Sequence, residues 1–131
     1  MLVNKKMWLL IFCMVISNNI NSAGLYTGQD FISACNGQKY IQHVDICNTA
    51  ITQAFSAYMV SIELIGGEKF ARCYRNHYPF LEQKSAKDGV AFLSDQYRKN
   101  PELMKQLLGF AFSVTLLSNY PIPSKCKTQI I

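Results

Sequence analysis

Apolar residues recur at three- and four-residue steps along most of the chain, and no stretch shows clear alternation. The strongest run is "ICNTAITQAFSAYMVSIELIGG" (46–67). Cys47, Ala50, Ile51, Ala54, Phe55, Tyr58, Ile62 and Ile65 share one face of a helix there, which predicts a long helix with a core-facing stripe. Gly66 and Gly67 end it. Upstream, Thr27 with Asp30 three residues on has the form of a capping box and predicts a helix through "QDFISAC" that stops at Asn36-Gly37. The segment "KYIQHVD" reads either as loop or as a helical lead-in.

Downstream of the glycines the pattern weakens. "EKFARCYRNHYPFLEQK" (68–84) is the least regular stretch, with a short helix expected around Phe70–Tyr74 and Pro79 interrupting any continuation. A second box, Ser85 with Asp88, predicts a helix over Ala86–Arg98 with Val90, Leu93 and Tyr97 on one side; Gly89 weakens it by up to about 1 kcal/mol. Asn100 as cap and Pro101 at the first helical position predict a last helix through "PELMKQLLGFAFSVTLLSNY". Met104, Leu107, Leu108, Ala111 and Thr115 form one stripe on it, and Phe110, Val114 and Leu117 another. A helix apolar all round is usually buried on more than one side. In a domain this small a second copy would supply the other side, so a homodimer is one expectation. Pro121 and Pro123 predict an extended tail carrying Cys126.

The first residues change the chemistry expected of the rest. Lys5 and Lys6, the apolar run Met7–Ile16, and the small residues Ser22 and Ala23 have the layout of a secretory signal peptide over residues 1–23, cleaved after Ala23, with a cut after Ser22 as the alternative because Asn21 fits the −3 position poorly. The run is too short to span a bilayer, which takes about 20 apolar residues; an uncleaved anchor is the alternative. Residues 24–131 then form a single helical domain in the periplasm, or in a secreted setting, with no stable membrane insertion once the leader is gone. Lys5 and Lys6 are the only charges in that leader, so 11 of the 13 basic residues remain against 8 acidic ones, net +3. These charges are scattered, with a loose cluster at Lys69, Arg72, Arg75 and His77, and nucleic-acid binding needs a denser patch.

Removing the leader also takes Cys13 and leaves four cysteines: Cys35, Cys47, Cys73 and Cys126. In an oxidising compartment an even count points to disulfides, and four cysteines allow three pairings. The preferred one is Cys35–Cys47 with Cys73–Cys126, worth about 3 and about 4 kcal/mol on the loop-entropy account. Zinc is the rival, but no C-x-x-C or H-x-x-x-H spacing occurs, so no metal or other cofactor is expected. His43 and Cys47 stand at i, i+4 and would suit a thiolate–imidazole nucleophile, though a paired cysteine cannot attack. The expectation is therefore a protein without catalytic residues: an all-α, disulfide-stapled bundle of about four to five helices.

Four pieces in order carry a resemblance. They are "YTGQDFISAC", a second cysteine opening a long helix, a third before a helical pair, and "YRKNPELMKQLLGFAF" running to a last cysteine. The chain from Tyr26 to Cys126 resembles the Rap/Tai family of periplasmic immunity proteins of type VI secretion, as a divergent member. Gly28, Asp30, Phe31, Ile32 and Cys35 fit the family's early motif; Tyr97, Pro101, Glu102, Leu108 and Ala111 fit its later one. Where the family has Tyr-Ile and then Gly after its second cysteine, this chain has Ala50-Ile51 and Gln53; the proline after the third cysteine is absent, and the closing Phe-Pro-Cys becomes "IPSKC". The resemblance implies a small helical protein, often dimeric, that sterically blocks a peptidoglycan amidase effector. It does not name the binding surface. Composition favours 68–83, with Arg72, Tyr74, Arg75, His77 and Tyr78 as partner-binding candidates, since Tyr and Arg favour interface centres; an ordinary connector is the bland alternative. The competing class is a non-enzymatic envelope factor such as a small chaperone or secretion accessory protein.

Overall fold

The computed structural model describes residues 25–130, so the expected leader over residues 1–23 and its expected cleavage site lie outside the described residues. Among the described residues the architecture is all-α, with seven helices and two 3-10 segments. The helices are α1 (Gly28–Cys35), α2 (Lys39–Gln42), α3 (Val44–Gly66), α4 (Glu68–His77), α5 (Ala86–Lys99), α6 (Leu108–Asn119) and α7 (Ser124–Lys127). One 3-10 turn, Pro79–Leu81, follows α4; the other, Pro101–Lys105, follows α5. Five helices have eight residues or more; α2 and α7 are single turns.

The two boxes read from sequence form as reciprocal caps. Thr27 Oγ1 accepts from Asp30 N at 3.2 Å while Asp30 Oδ2 accepts from Thr27 N at 3.0 Å. That backbone hydrogen bond holds the Asp30 carboxyl below its usual range, because it favours the charged form. Ser85 and Asp88 repeat the arrangement at the start of α5. Helix α1 closes at Asn36, where the chain turns extended, and Gly37 follows at φ 58°.

Helix α3 is the spine, and α4, α5 and α6 all pack against it. Its stripe is buried as the spacing requires: Cys47, Ala50, Ile51, Ala54, Tyr58 and Ile62 are interior, while Phe55 and Ile65 are half-buried against the core. Two glycines mark close approaches. A Cβ on Gly89 would lie 2.5 Å from Ile51 Cγ2, so α5 sits tight on α3. A Cβ on Gly66 would fall inside the Phe70 ring, which is how α4 folds back over the end of α3.

Three expectations need correcting. The irregular 68–84 stretch opens as a ten-residue amphipathic helix, α4, because Phe70, Ala71 and Tyr74 share an inward face. The continuous helix expected from Pro101 to Tyr120 is broken. Pro101 starts a 3-10 segment, the chain is extended at Gln106, and α6 begins only at Leu108. The break is tertiary in origin: Gly28 N donates to Gln106 O at 3.1 Å and Leu108 N donates to Tyr26 O at 2.9 Å, forming an isolated antiparallel bridge between Thr27 and Leu107. The single Leu108 N–H cannot serve both this clasp and a helical ladder, and Gln106 is held extended beside it. The tail is extended only to Pro123, and α7 then delivers Cys126 into the interior.

Both faces of α6 are occupied in large part by its own chain. Leu108, Ala111, Phe112, Thr115 and Leu116 are buried, and Phe110, Val114 and Leu117 are half-buried. Helix α6 therefore finds much of its cover within one copy.

Candidate functional site

The four cysteines form two disulfides. Cys35 is bonded to Cys47 with Cα atoms 5.8 Å apart, and Cys73 to Cys126 with Cα atoms 5.6 Å apart. Bonding removes the thiolate that a His43/Cys47 couple would need. His43 itself links α2 to α3, with its Nδ1 buried.

The candidate binding surface is built on the second disulfide. Cys73 faces α7 from α4, and the residues around it are fastened to the tail by tyrosines. Tyr74 OH donates to Tyr120 O at 2.9 Å and stands 2.7 Å from Tyr58 OH. A phenol has one proton, so Tyr58 is the donor to Tyr74. Tyr78 OH donates to the Pro121 carbonyl. The Tyr78 ring is hemmed by Tyr74 at 5.1 Å, Tyr120 at 5.5 Å and His77 at 4.6 Å.

Of the five candidates from sequence, Tyr74 is removed from the surface: it is 0 % exposed, because its place at i+4 from Phe70 turns it onto the core face of α4. Arg72 is exposed and pairs with Glu68 one turn back along the same helix. Arg75, His77 and Tyr78 do cluster, at the C-terminal end of α4 and the turn after it. Arg75 reaches Glu82 at 4.0 Å across the 3-10 turn. Phe80, Lys84 and Tyr120 complete the cluster and were not singled out from sequence. Phe80 is 41 % exposed, packs on Tyr120 at 5.4 Å, and carries the Lys84 ammonium 5.8 Å above its ring. For the two aromatics the sequence signal is the adjacent proline, Pro79-Phe80 and Tyr120-Pro121, which restricts the backbone beside the ring.

Beside this cluster a cleft of about 170 Å³ opens between α3, α5, α6 and the Leu81 turn. Ile51, Phe55, Leu81, Phe92, Phe112 and Leu116 line it, and Glu82, Lys84 and Asp88 stand among its polar residues.

Burial of the tyrosines has a pH consequence. Desolvation pushes the phenols of Tyr58, Tyr74 and Tyr97 up, Tyr74 to about 12. The fold favours the neutral form, so this stability is complete below the ordinary phenol value of 10 and is lost as pH rises through about 12. In an alkaline titration followed by phenolate absorbance, these three rings should ionise together with loss of helical circular dichroism. Complete ionisation of all tyrosines while the helix signal persists would contradict the burial.

No protein-family model, curated protein or solved structure matches the chain. Among the described residues no group of His, Cys, Asp and Glu could hold a metal ion, and no helix is long and apolar enough to cross a membrane.

Proposed function

We propose that this chain is an exported immunity-type binding protein that occludes the cleft of a peptidoglycan amidase delivered by type VI secretion. The observation that carries the reading is the pre-ordered ridge at Arg75, His77, Tyr78 and Phe80. Its rings are locked against Tyr120, its backbone is tied to the tail by Tyr78, and its base is bolted by Cys73–Cys126. A ridge that is already rigid loses little conformational entropy on docking, so more of its contact energy appears as affinity. Aromatic and arginine side chains on stiff backbone suit an anchor at an interface centre. The sequence resemblance to the Rap/Tai family supplies the target class, and two disulfides suit an oxidising compartment.

The action would be steric. A ridge of this kind, within an interface of about 1,600 Å² in total, keeps cell-wall peptide away from the amidase nucleophile without any chemistry of its own. The test is a pull-down with the tagged, oxidised protein from cells with active type VI secretion, followed by peptidoglycan digestion with the captured protein. One hydrolase in a one-to-one complex, inhibited on binding, is the expected result. Arg75→Ala and Phe80→Ala should each weaken that complex roughly tenfold or more while leaving helical content unchanged. Recovery of no hydrolase, or undiminished digestion in the presence of excess protein, would sink the reading.

A further inference from the structure

We infer that the cleft between α3, α5 and α6 is a socket for one aromatic side chain of the partner protein, with a carboxylate beside it that is held by Lys84. The inference rests on the reading of the chain as a protein-binding module. Size comes first: a cavity of about 150 Å³ accepts a benzene ring, and this one measures about 170 Å³. Ile51, Phe55, Leu81, Phe92, Phe112 and Leu116 give it a mainly apolar lining, so a ring entering it exchanges water for hydrocarbon over most of its surface.

Charge then selects the occupant. Two of the three charged groups at the cleft already have partners. Glu82 faces the Arg75 guanidinium at 4.0 Å, while Asp88 keeps its charge but is turned to the Ser85 N–H at 3.2 Å in the capping box. Lys84 has no carboxylate within reach among the described residues, and its ammonium lies over Phe80. An unpaired cation at the mouth of an apolar socket is complementary to an acidic residue flanking an aromatic one. The mature chain's net charge of +3 points the same way, favouring an acidic partner over a second copy.

The test uses two small probes on the oxidised protein, so it does not depend on finding the partner. N-acetyl-L-phenylalanine presents the ring with a carboxylate, and N-acetyl-L-phenylalaninamide presents the same ring without charge. In a nitrogen-15 amide spectrum the carboxylate probe should shift Ile51, Phe55, Leu81, Lys84 and Phe92, with a Kd on the order of 1 mM. The amide should bind about two- to fivefold more weakly, and Lys84→Glu should weaken the carboxylate probe alone by a similar factor. Ser56→Trp, which sets a ring at an exposed position of the cleft wall, should abolish both; Thr52→Trp serves if the first variant folds poorly. Absent or scattered shifts, or binding indifferent to the tryptophan variants, overturn the socket. A captured amidase with no probe binding removes the socket and leaves the proposed function standing. Probe binding without any captured hydrolase does the reverse.

Discussion

Replacing Cys73 and Cys126 together by alanine should lower the unfolding free energy by about 4 kcal/mol, more than losing the other disulfide. The bond closes a separation of 53 residues, against 12 for Cys35–Cys47, and the entropy removed from the unfolded chain grows with the logarithm of that length. The shorter loop should be worth about 3 kcal/mol on the same account. The longer bond also holds the tail whose Tyr120 and Pro121 carbonyls receive Tyr74 and Tyr78. Without it, that tail keeps two neutral hydrogen bonds worth about 1 kcal/mol each, ring contacts of about 0.5–1.5 kcal/mol, and the partial packing of Ile122 and Ile130 on the core. Alanine is the better replacement because Cys126 is wholly interior and a serine hydroxyl there would need a partner. Urea unfolding of the oxidised protein and of each double-alanine variant checks the ordering. A larger loss from the Cys35–Cys47 pair would show that loop length does not govern stability in this fold. The cluster at Arg75, His77, Tyr78 and Phe80 should also lose order with the tail, so affinity for a captured partner should fall in the Cys73/Cys126 variant and not in the other.

Phe31→Ala should remove about 3–5 kcal/mol, the usual range for emptying a buried phenylalanine site. Phe31 is 0 % exposed and its ring meets Tyr97 at 6.2 Å. The site has little room to collapse, because Gly28 already brings α1 close to Tyr97 and to the Met104 backbone; a Cβ there would lie 2.6 and 2.7 Å from them. Helix α1 has only eight residues, too few to persist without tertiary support. Phe31, the clasp to Gln106 and Leu108, and Cys35–Cys47 are its anchors. Since domains of this size hold about 5–15 kcal/mol in total, the variant should be marginal at best. The same substitution made without the Cys35–Cys47 bond should be non-additive, because once α1 has detached the second loss removes contacts already gone. Chemical denaturation of the four proteins of that cycle gives the coupling. Strict additivity would mean that α1 stays docked by other contacts.

Legibility followed distance along the chain. Thr27–Asp30 and Ser85–Asp88 were readable because a cap is a contract between residues three apart. The stripe on α3 was readable because its repeat is set by helix geometry alone. Tyr74 was misassigned for a different reason. Composition marks tyrosine as an interface residue, while its spacing from Phe70 marks it as core, and spacing was the stronger signal. Gly89 looked like a weakness in α5, whereas Ile51 across the interface requires a residue without a Cβ there. The site divided in the same way. Arg75, His77 and Tyr78 are sequence neighbours and stand out together; Phe80 meets Tyr78 directly and brings Lys84 with it, whereas Tyr120 joins only through ring contacts when the tail returns.

By itself, then, the amino-acid order determined the helical class, the caps, the core stripe of the long helix and the supply of four cysteines for stapling. Each of these is decided within a few turns of chain, where sterics and hydrogen-bond reach are local. Tertiary structure alone decided that the last predicted helix breaks at Gln106, that Tyr120 returns against Tyr78 and Phe80, and that a cleft opens beside Lys84. These outcomes depend on which distant groups compete for one backbone amide, one phenol or one patch of apolar surface. That competition is resolved only when α3, α4, α5, α6 and the tail are packed together.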